Sequence, residues 1–258
     1  INSIKKNWTV LIYLDGDNNL EKAAIYDFLE MSYIGSDENV NIIVQFDRIS
    51  DYDRSYDDWV TTKRYYISDG MIPNENNALM DLGELNMGDP QTLTDFILWG
   101  VNNYPADYYA LILWNHGDGW ESLCSDQTDN QDFLSISELE SALSNAGHYF
   151  DVIGFAACKM GMIEIHAQLK DWASICISSQ NLEPIKGWPY DTILSDLRSN
   201  PTMSPSDFGK TIVNRFYEYM HDGSYLFVGH SESLDRKVCP LTYLQPAVYK
   251  KEEQICKA

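Results

Sequence analysis

The sequence predicts an α/β domain organised on a mostly parallel central sheet flanked by helices, and three observations carry that expectation. Near-continuous apolar runs recur, as WTVLIYL at 8–14, VNIIVQFD at 40–47 and YYALILW at 108–114, and such runs suit parallel strands covered on both faces. Amphipathic segments alternate with them, which is the order of strand-helix-strand units with right-handed crossovers. Neither an internal repeat nor a Gly/Ser linker interrupts the 258 residues, so residues 1–258 are expected to form one domain, irregular and shortened from about 235 onward.

Taken in order, the first strand stops at Asp15-Gly16-Asp17, where Asn18 or Asn19 can cap the segment LEKAAIYDFLEMSYI. Leu20, Ala24, Phe28 and Met31 then fall on one helical face. After the second strand, WVTTKRYYI at 59–67 alternates like a half-exposed strand, and residues 69–89 are turn-rich. Asp89-Pro90 opens a helix that breaks at Pro105, before the third buried strand. Residues 117–134 are polar and aperiodic, the pattern of a long surface loop. Ser135 and Glu138 form a capping box for SISELESALSNAG, with Gly147 as its stop. DVIGFAACKMG at 151–161 reads as a buried strand ending in Cys158, followed by a helix; ASICISS is another strand, and DTILSDLRSN and SDFGKTIVNRFYEYM are helices. SYLFVG at 224–229 is the last strand candidate.

Composition excludes several classes of function. With 39 acidic and 18 basic residues the formal net charge is -21, which repels a phosphate backbone, so no nucleic-acid partner is expected. No apolar run approaches the roughly 18 residues of a membrane span. The chain enters a strand almost at once, so no signal peptide is expected within this numbering. The five cysteines are odd in number and lack CxxC spacing, which argues against a zinc or thioredoxin-like site.

The chemistry concentrates at two strand ends. One strand runs into Asn115-His116-Gly117 and another into Cys158. If the two strands are parallel neighbours joined by the helix at 135–147, both residues leave the same sheet edge. An imidazole would then stand beside a thiol whose thiolate is the reactive form. Gly117 and the backbone N–H of Cys158 could supply oxyanion donors, since glycine lets the main chain approach closely. A cysteine at a strand end also serves as a small buried residue, and a histidine there as a cap. It is the pair, each member followed by small residues, that points to catalysis.

Four blocks, LIYLDGDNNLE at 11–21, ALILWNHGDGW at 110–120, GFAACKMGMIE at 154–164 and EPIKGWPY at 183–190, resemble the clostripain family of cysteine peptidases, within the caspase-like group that also holds gingipains, separase and legumain. The resemblance implies a caspase-like three-layer sandwich, a His116 and Cys158 catalytic dyad, and a protein or peptide substrate cut through an acyl-enzyme. It also implies a secreted or cell-surface bacterial protein. Ala156, Ser179, Lys186 and Trp188 fall at the substrate-binding positions. Family members that cut after Arg or Lys carry an Asp two residues before the cysteine, where this chain has Ala156, and often a second acid where it has Lys186. A buried cation needs a counter-charge, so a P1 preference other than Arg or Lys is expected. Relatives mature by self-cleavage at a basic residue between the histidine and the cysteine. Residues 117–157 contain no Lys or Arg, so processing is either unnecessary here or follows another residue type.

The reaction requires no cofactor, and the chain is expected to be a monomer. Calcium is the ion to consider, because some family members use it and Asp15, Asp17 and Asp47 gather acidic groups at strand ends. An EF-hand is rejected, because Leu20 stands where its glycine belongs. The alternative for Asp15, Asp17 and Asn19 is a polar loop capping the following helix. Among the other histidines, His148 is expected to be exposed, His166 to pack in a helix and His221 to sit at a helix end. His230 precedes Ser231 without a nucleophile elbow around it. Two rival functions stay open. One is a secreted carbohydrate- or protein-binding module using Trp59, Trp99, Trp114, Trp120, Trp172 and Trp188; the other is an inactive homologue, for which Ala156 and Lys186 are the motive.

Overall fold

Lys6–Gly16 form β1, the strand around which the sheet is laid down, and alternate residues along it feed two separate cores. Trp8, Val10, Ile12 and Leu14 enter one apolar layer while Leu11 and Tyr13 enter the other. That two-sided burial is the reason the run reads as continuously apolar. A computed structural model of the chain describes residues 5–221 together with the backbone of 249–250.

In chain order, β1 is followed by α1 (Glu21–Ile34), β2 (Val40–Arg48), β3 (Thr62–Tyr66) and β4 (Met80–Asp81). Next come α2 (Pro90–Asn103), β5 (Ala106–Trp114), β6 (Leu123–Asp126), β7 (Asp132–Leu134) and α3 (Ile136–Ala146). The described elements end with β8 (Phe150–Ala156), α4 (Ile163–Leu169), β9 (Ala173–Ile177), α5 (Tyr190–Ser199), α6 (Pro205–His221) and β10 (Tyr249–Lys250). The main sheet has the order β10-β9-β8-β5-β1-β2-β3-β4. Its five central strands, β9, β8, β5, β1 and β2, run parallel, whereas β3, β4 and β10 pair antiparallel at the two sides. Residues of α1, α5 and α6 fill the layer on one face, and residues of α2, α3 and α4 fill the other. The result is the three-layer α/β sandwich expected from the alternation. A fully buried Phe28 or Phe155 contributes roughly 1.5–3 kcal/mol to such layers.

Local signals set the helix ends. Ser135 and Glu138 make the capping box, with the Ser135 N–H donating to Glu138 Oε2 at 2.9 Å, and Gly147 closes α3 in the left-handed conformation at φ 61°. Asp89 caps α2 through the Gln91 N–H at 2.8 Å, with Pro90 in its first turn.

Several expectations are corrected. Helix α1 begins at Glu21 with no side-chain cap at Leu20; Asn18 instead accepts the Leu20 N–H at 2.9 Å in a local turn, and Asn19 is engaged elsewhere. Residues 117–134 are not simply a surface loop, because β6 and β7 form a hairpin whose Leu123, Cys124 and Leu134 are buried in the second core. Those strands have only four and three residues, with a register shift at Cys124 where φ is 54°, so no alternation long enough to read exists. Strand β3 is shorter than 59–67 and nearly all buried, since Trp59 joins the core from outside the strand. His148 is half-buried between the rings of Tyr109 and Phe150. The strand expected at 224–229 and His230 lie outside the described residues, as does the region from 235 apart from β10.

Candidate active site

Register decides the site. Strands β5 and β8 are parallel neighbours with Trp114 opposite Ala156, and the Asn115 N–H continues the ladder onto the Ala156 carbonyl at 3.4 Å. His116 and Cys158 therefore stand two residues beyond the same rung, on the edge where the parallel strands end. The chains are close there: a Cβ on Gly117 would lie 2.5 Å from the Cys158 carbonyl oxygen and 3.1 Å from Ala157 Cβ. Only glycine tolerates that approach. The turn after Cys158 is tight, with Lys159 at φ 59°. It is tied to the next loop by Lys159 N–H to the Asn181 carbonyl at 2.9 Å and Gly161 N–H to the Ser179 carbonyl at 2.7 Å.

His116 is oriented from the loop between β1 and α1. Its Nε2 lies 2.7 Å from Asn19 Oδ1, and since that oxygen can only accept, the proton sits on Nε2 and Nδ1 keeps its lone pair. The preceding Asn115 is buried and clamps the backbone, with its Oδ1 accepting the His116 N–H and its Nδ2 donating to the Asp15 carboxylate and to the carbonyls of Asp15 at 3.1 Å and Ser125 at 3.3 Å. Desolvation by the surrounding protein pulls the His116 imidazole below the ordinary 6.5, in favour of the neutral base.

Cys158 is half-buried, and its Sγ accepts the Glu183 N–H at 3.2 Å. Burial pushes the thiol above its usual value, and the Glu183 N–H opposes that only in part. Both members of the pair are thus held neutral, as thiol and imidazole rather than as a preformed ion pair. Cys124 and Cys176 are also free thiols but are buried.

Beside Cys158, Ser179, Glu183 and Trp188 line a narrow crevice with Ile177, Ile212 and Phe216. Trp188 Nε1–H donates to Glu183 Oε2 at 3.1 Å, and burial holds the Glu183 carboxyl well above the usual range, toward its protonated form. Asp27 lies behind, accepting Trp114 Nε1–H at 2.7 Å, and burial raises it likewise. Ala156 is buried at the strand end, and Lys186 is exposed, outside the crevice lining. The family resemblance points to Ser179 and Trp188 but not to Glu183. An acid flanked by Leu182 and Pro184, just ahead of Gly-Trp, was the available signal.

The acidic strand ends divide. Asp15 is bonded to Asn115, whereas Asp17 and Asp47 gather with Glu84 and Asp126, each offering an oxygen within 4.8 Å of the others. Glu84 and Asp126 went unnoticed in the sequence because each lies in a polar stretch full of acids. His166 is buried, with Nε2 2.9 Å from Ser178 Oγ, a packing role. His221 closes α6, and its side chain lies outside the described residues.

A thiol and an imidazole that follow adjacent parallel strand ends, on a three-layer α/β sandwich, point to the class of caspase-like cysteine peptidase folds. The model of the clostripain family matches residues 12–234, and the chain belongs to that family. Clostripain from Hathewaya histolytica is 29% identical over 222 residues, covering 74% of this chain and 42% of that protein. Among solved structures, a secreted C11 cysteine protease from Bacteroides thetaiotaomicron in complex with an irreversible peptide inhibitor is 26% identical, with TM-score 0.68 over 83% of this chain and 58% of the other. An inactive zymogen C11 protease from Parabacteroides distasonis is 26% identical, with TM-score 0.67 over 86% and 61%. This chain therefore spans about two fifths to three fifths of the length of these relatives. Among the described residues, no helix is long and apolar enough to cross a membrane.

Proposed function

We propose that this chain is a cysteine endopeptidase working through Cys158 as nucleophile and His116 as general base. The observation that carries the reading is the common rung from which the two residues leave, with Asn19 on one side of the imidazole and the Glu183 N–H on the sulfur. With Nε2–H engaged by Asn19, Nδ1 is the nitrogen that takes the thiol proton. The thiolate sulfur then bonds to the scissile carbonyl carbon, and the N–H groups of Gly117 and Cys158 receive the developing oxyanion. On collapse the C–N bond breaks and His116 returns its proton to the departing amine. Water, deprotonated by the same imidazole, adds to the thioester and releases the acid and the thiol. Nucleophile, base and oxyanion donors all belong to the chain, so no cofactor takes part.

The substrate is a protein or peptide whose P1 residue is neither Arg nor Lys. In support of that, Ala156 carries no charge and Lys186 adds a positive one to the same loop, while the Glu183 carboxyl is held toward its neutral form. A neutral acid on the crevice wall suits a polar, acidic or small side chain through hydrogen bonding. The chain acts as a monomer and works outside the bacterial cell or on its surface, a location supported by the relative described as secreted, and its acidic surface does not take up nucleic acid.

A P1-diverse peptide library assayed with wild type and Cys158→Ala tests both parts. Cleavage that disappears in the variant and avoids Arg and Lys is expected. A sharp Arg or Lys preference would overturn the P1 reading and make Glu183, ionised by the incoming cation, the counter-charge. Equal labelling of all accessible cysteines by a thiol-reactive peptide, with no cleavage, would favour the inactive homologue or the binding module.

A further inference from the structure

We infer that Glu30, on α1, is a positioning residue for the substrate-binding loop 183–190, which it holds in place by accepting the Tyr190 N–H. This role deepens the peptidase reading and rests on it, because the loop carries Glu183, whose N–H reaches Cys158, and Trp188 of the crevice wall.

The first half of the loop hangs on the Cys158 turn through the Glu183 N–H to Sγ at 3.2 Å. The second half closes on itself: the Gly187 N–H donates to the Pro184 carbonyl at 2.8 Å, and the Trp188 indole donates back to Glu183 Oε2 at 3.1 Å. Trp188 seats its ring on Gly154, where a Cβ would stand 2.8 Å from Cη2. Beyond it, α5 starts at Tyr190 behind Pro189, which supplies no side-chain cap. A helix start leaves N–H groups that need acceptors. Glu30 Oε2 answers the Tyr190 N–H at 3.0 Å from 160 residues away, a cap supplied by another helix.

Helix α1 gives that acceptor a firm mount, since Ala24, Phe28 and Met31 are locked into the core layer beneath it. Gly187 lies so tightly on the buried Asp27 that a Cβ there would come within 2.6 Å of Asp27 Oδ2, at a left-handed φ of 62°. Only glycine fits. The loop thus touches α1 at two points, by packing at Asp27 and by a hydrogen bond at Glu30.

The groups around Glu30 make this tie sensitive to pH. Tyr26 and Asp27 flank it on α1, Tyr190 and Asp191 face it from α5, and Lys186 faces it from the loop, with Glu183 behind them. Burial holds Asp27, Glu183 and the Tyr190 phenol toward their neutral forms. Burial, and after it Asp191, raise Glu30 from 4.5 to about 7, against the pull of Tyr26, the Tyr190 N–H and Lys186. A carboxyl that swings out into water returns toward 4.5. The seated state therefore has its full advantage below about 4.5 and loses it as pH rises through 7; between pH 6 and pH 8 the linkage amounts to about tenfold.

Two measurements on the full chain test this. Backbone hydrogen exchange over 183–190, corrected for intrinsic rates, is followed in the Cys158→Ala form, and KM and kcat are followed in the Cys158 enzyme with a blocked peptide free of titrating side chains. With Glu30 in place, the Tyr190 amide is expected to lose about tenfold of its protection from pH 6 to pH 8. Over the same range KM is expected to rise about 3- to 10-fold, with kcat changing by less than about threefold. Glu30→Gln keeps an oxygen acceptor but cannot ionise, and is expected to hold protection and KM level across that range. Glu30→Ala, without the acceptor, is expected to show low protection and raised KM at both pH values. The same pH dependence in Glu30→Gln as in wild type would overturn the inference, and so would full protection of the Tyr190 amide in Glu30→Ala. A wild type that cleaves nothing at either pH would count against the peptidase reading, while the exchange measurement still decides whether Glu30 holds the loop.

Discussion

Two corners of one sheet edge, each built from strand ends, are finished in opposite ways. Between β5 and β8 the polar atoms are answered from within the chain: His116 has Asn19, Cys158 has the Glu183 N–H, and Asn115 is bonded on both ends of its amide. Between β1 and β2 four acids gather; Asp17 and Asp126 accept backbone N–H groups, but Asp47 Oδ2 has no hydrogen-bond partner among the described residues. The neighbouring Glu21 and Arg48 show the difference within a single residue step, since that pair is equally buried but matched at 2.7 Å. A corner whose groups are neutral and partnered is prepared to do chemistry by itself.

The comparison can be broken at its strongest point first. Cys158→Ala should lower cleavage of the best library peptide by about 10^4- to 10^6-fold, and residual turnover within tenfold of wild type would remove Cys158 from the chemistry. Next in size is Arg48→Met, which strands the buried Glu21 carboxylate. A loss of about 3–5 kcal/mol in urea unfolding is expected, whereas a change under about 1 kcal/mol would mean that this pair is no better answered than Asp47.

Asn19→Ala should lower kcat by about 10- to 100-fold with KM little changed, because it frees the imidazole to turn without touching substrate. Asn19→Asp should restore much of the rate and move the acid limb of the pH profile upward, since a carboxylate beside His116 favours the imidazolium. In wild type, the depressed His116 pKa places that limb below 6.5, and a limb clearly above 6.5 would contradict the neutral-pair description.

The smallest effect concerns stability. Glu30 is raised from 4.5 to about 7, chiefly by burial, so the stability tied to its protonated form is complete below about 4.5 and is lost as pH rises through 7. Glu30→Gln should flatten the melting temperature across that window, and an unchanged slope would exclude Glu30 as the source.

Much of the fold was legible because its signals are local. The apolar runs, the Ser135 and Glu138 box, Gly147 and the Asp89-Pro90 start each act within a few residues, and each sits where its pattern put it. The β6–β7 hairpin was not legible, because its strands of four and three residues are too short to alternate, and Leu123, Cys124 and Leu134 are buried only by joining the second core. At the active site, His116 and Cys158 announced themselves by type and by strand-end position, whereas Asn19 passed for a helix cap.

The sequence by itself determined the alternation of strands and helices, the two strand ends that carry a histidine and a cysteine, and the absence of an acid at position 156. The tertiary structure decided the partners. Asn19 meets His116 across 97 residues, Glu183 meets Cys158 across 25, and Glu84 and Asp126 join Asp17 and Asp47 only because β1 lies between β2 and β5. Propensity and periodicity act over one or two turns of chain. Which distant side chains share a corner depends on strand order and register, and these are settled only when the whole sheet is assembled.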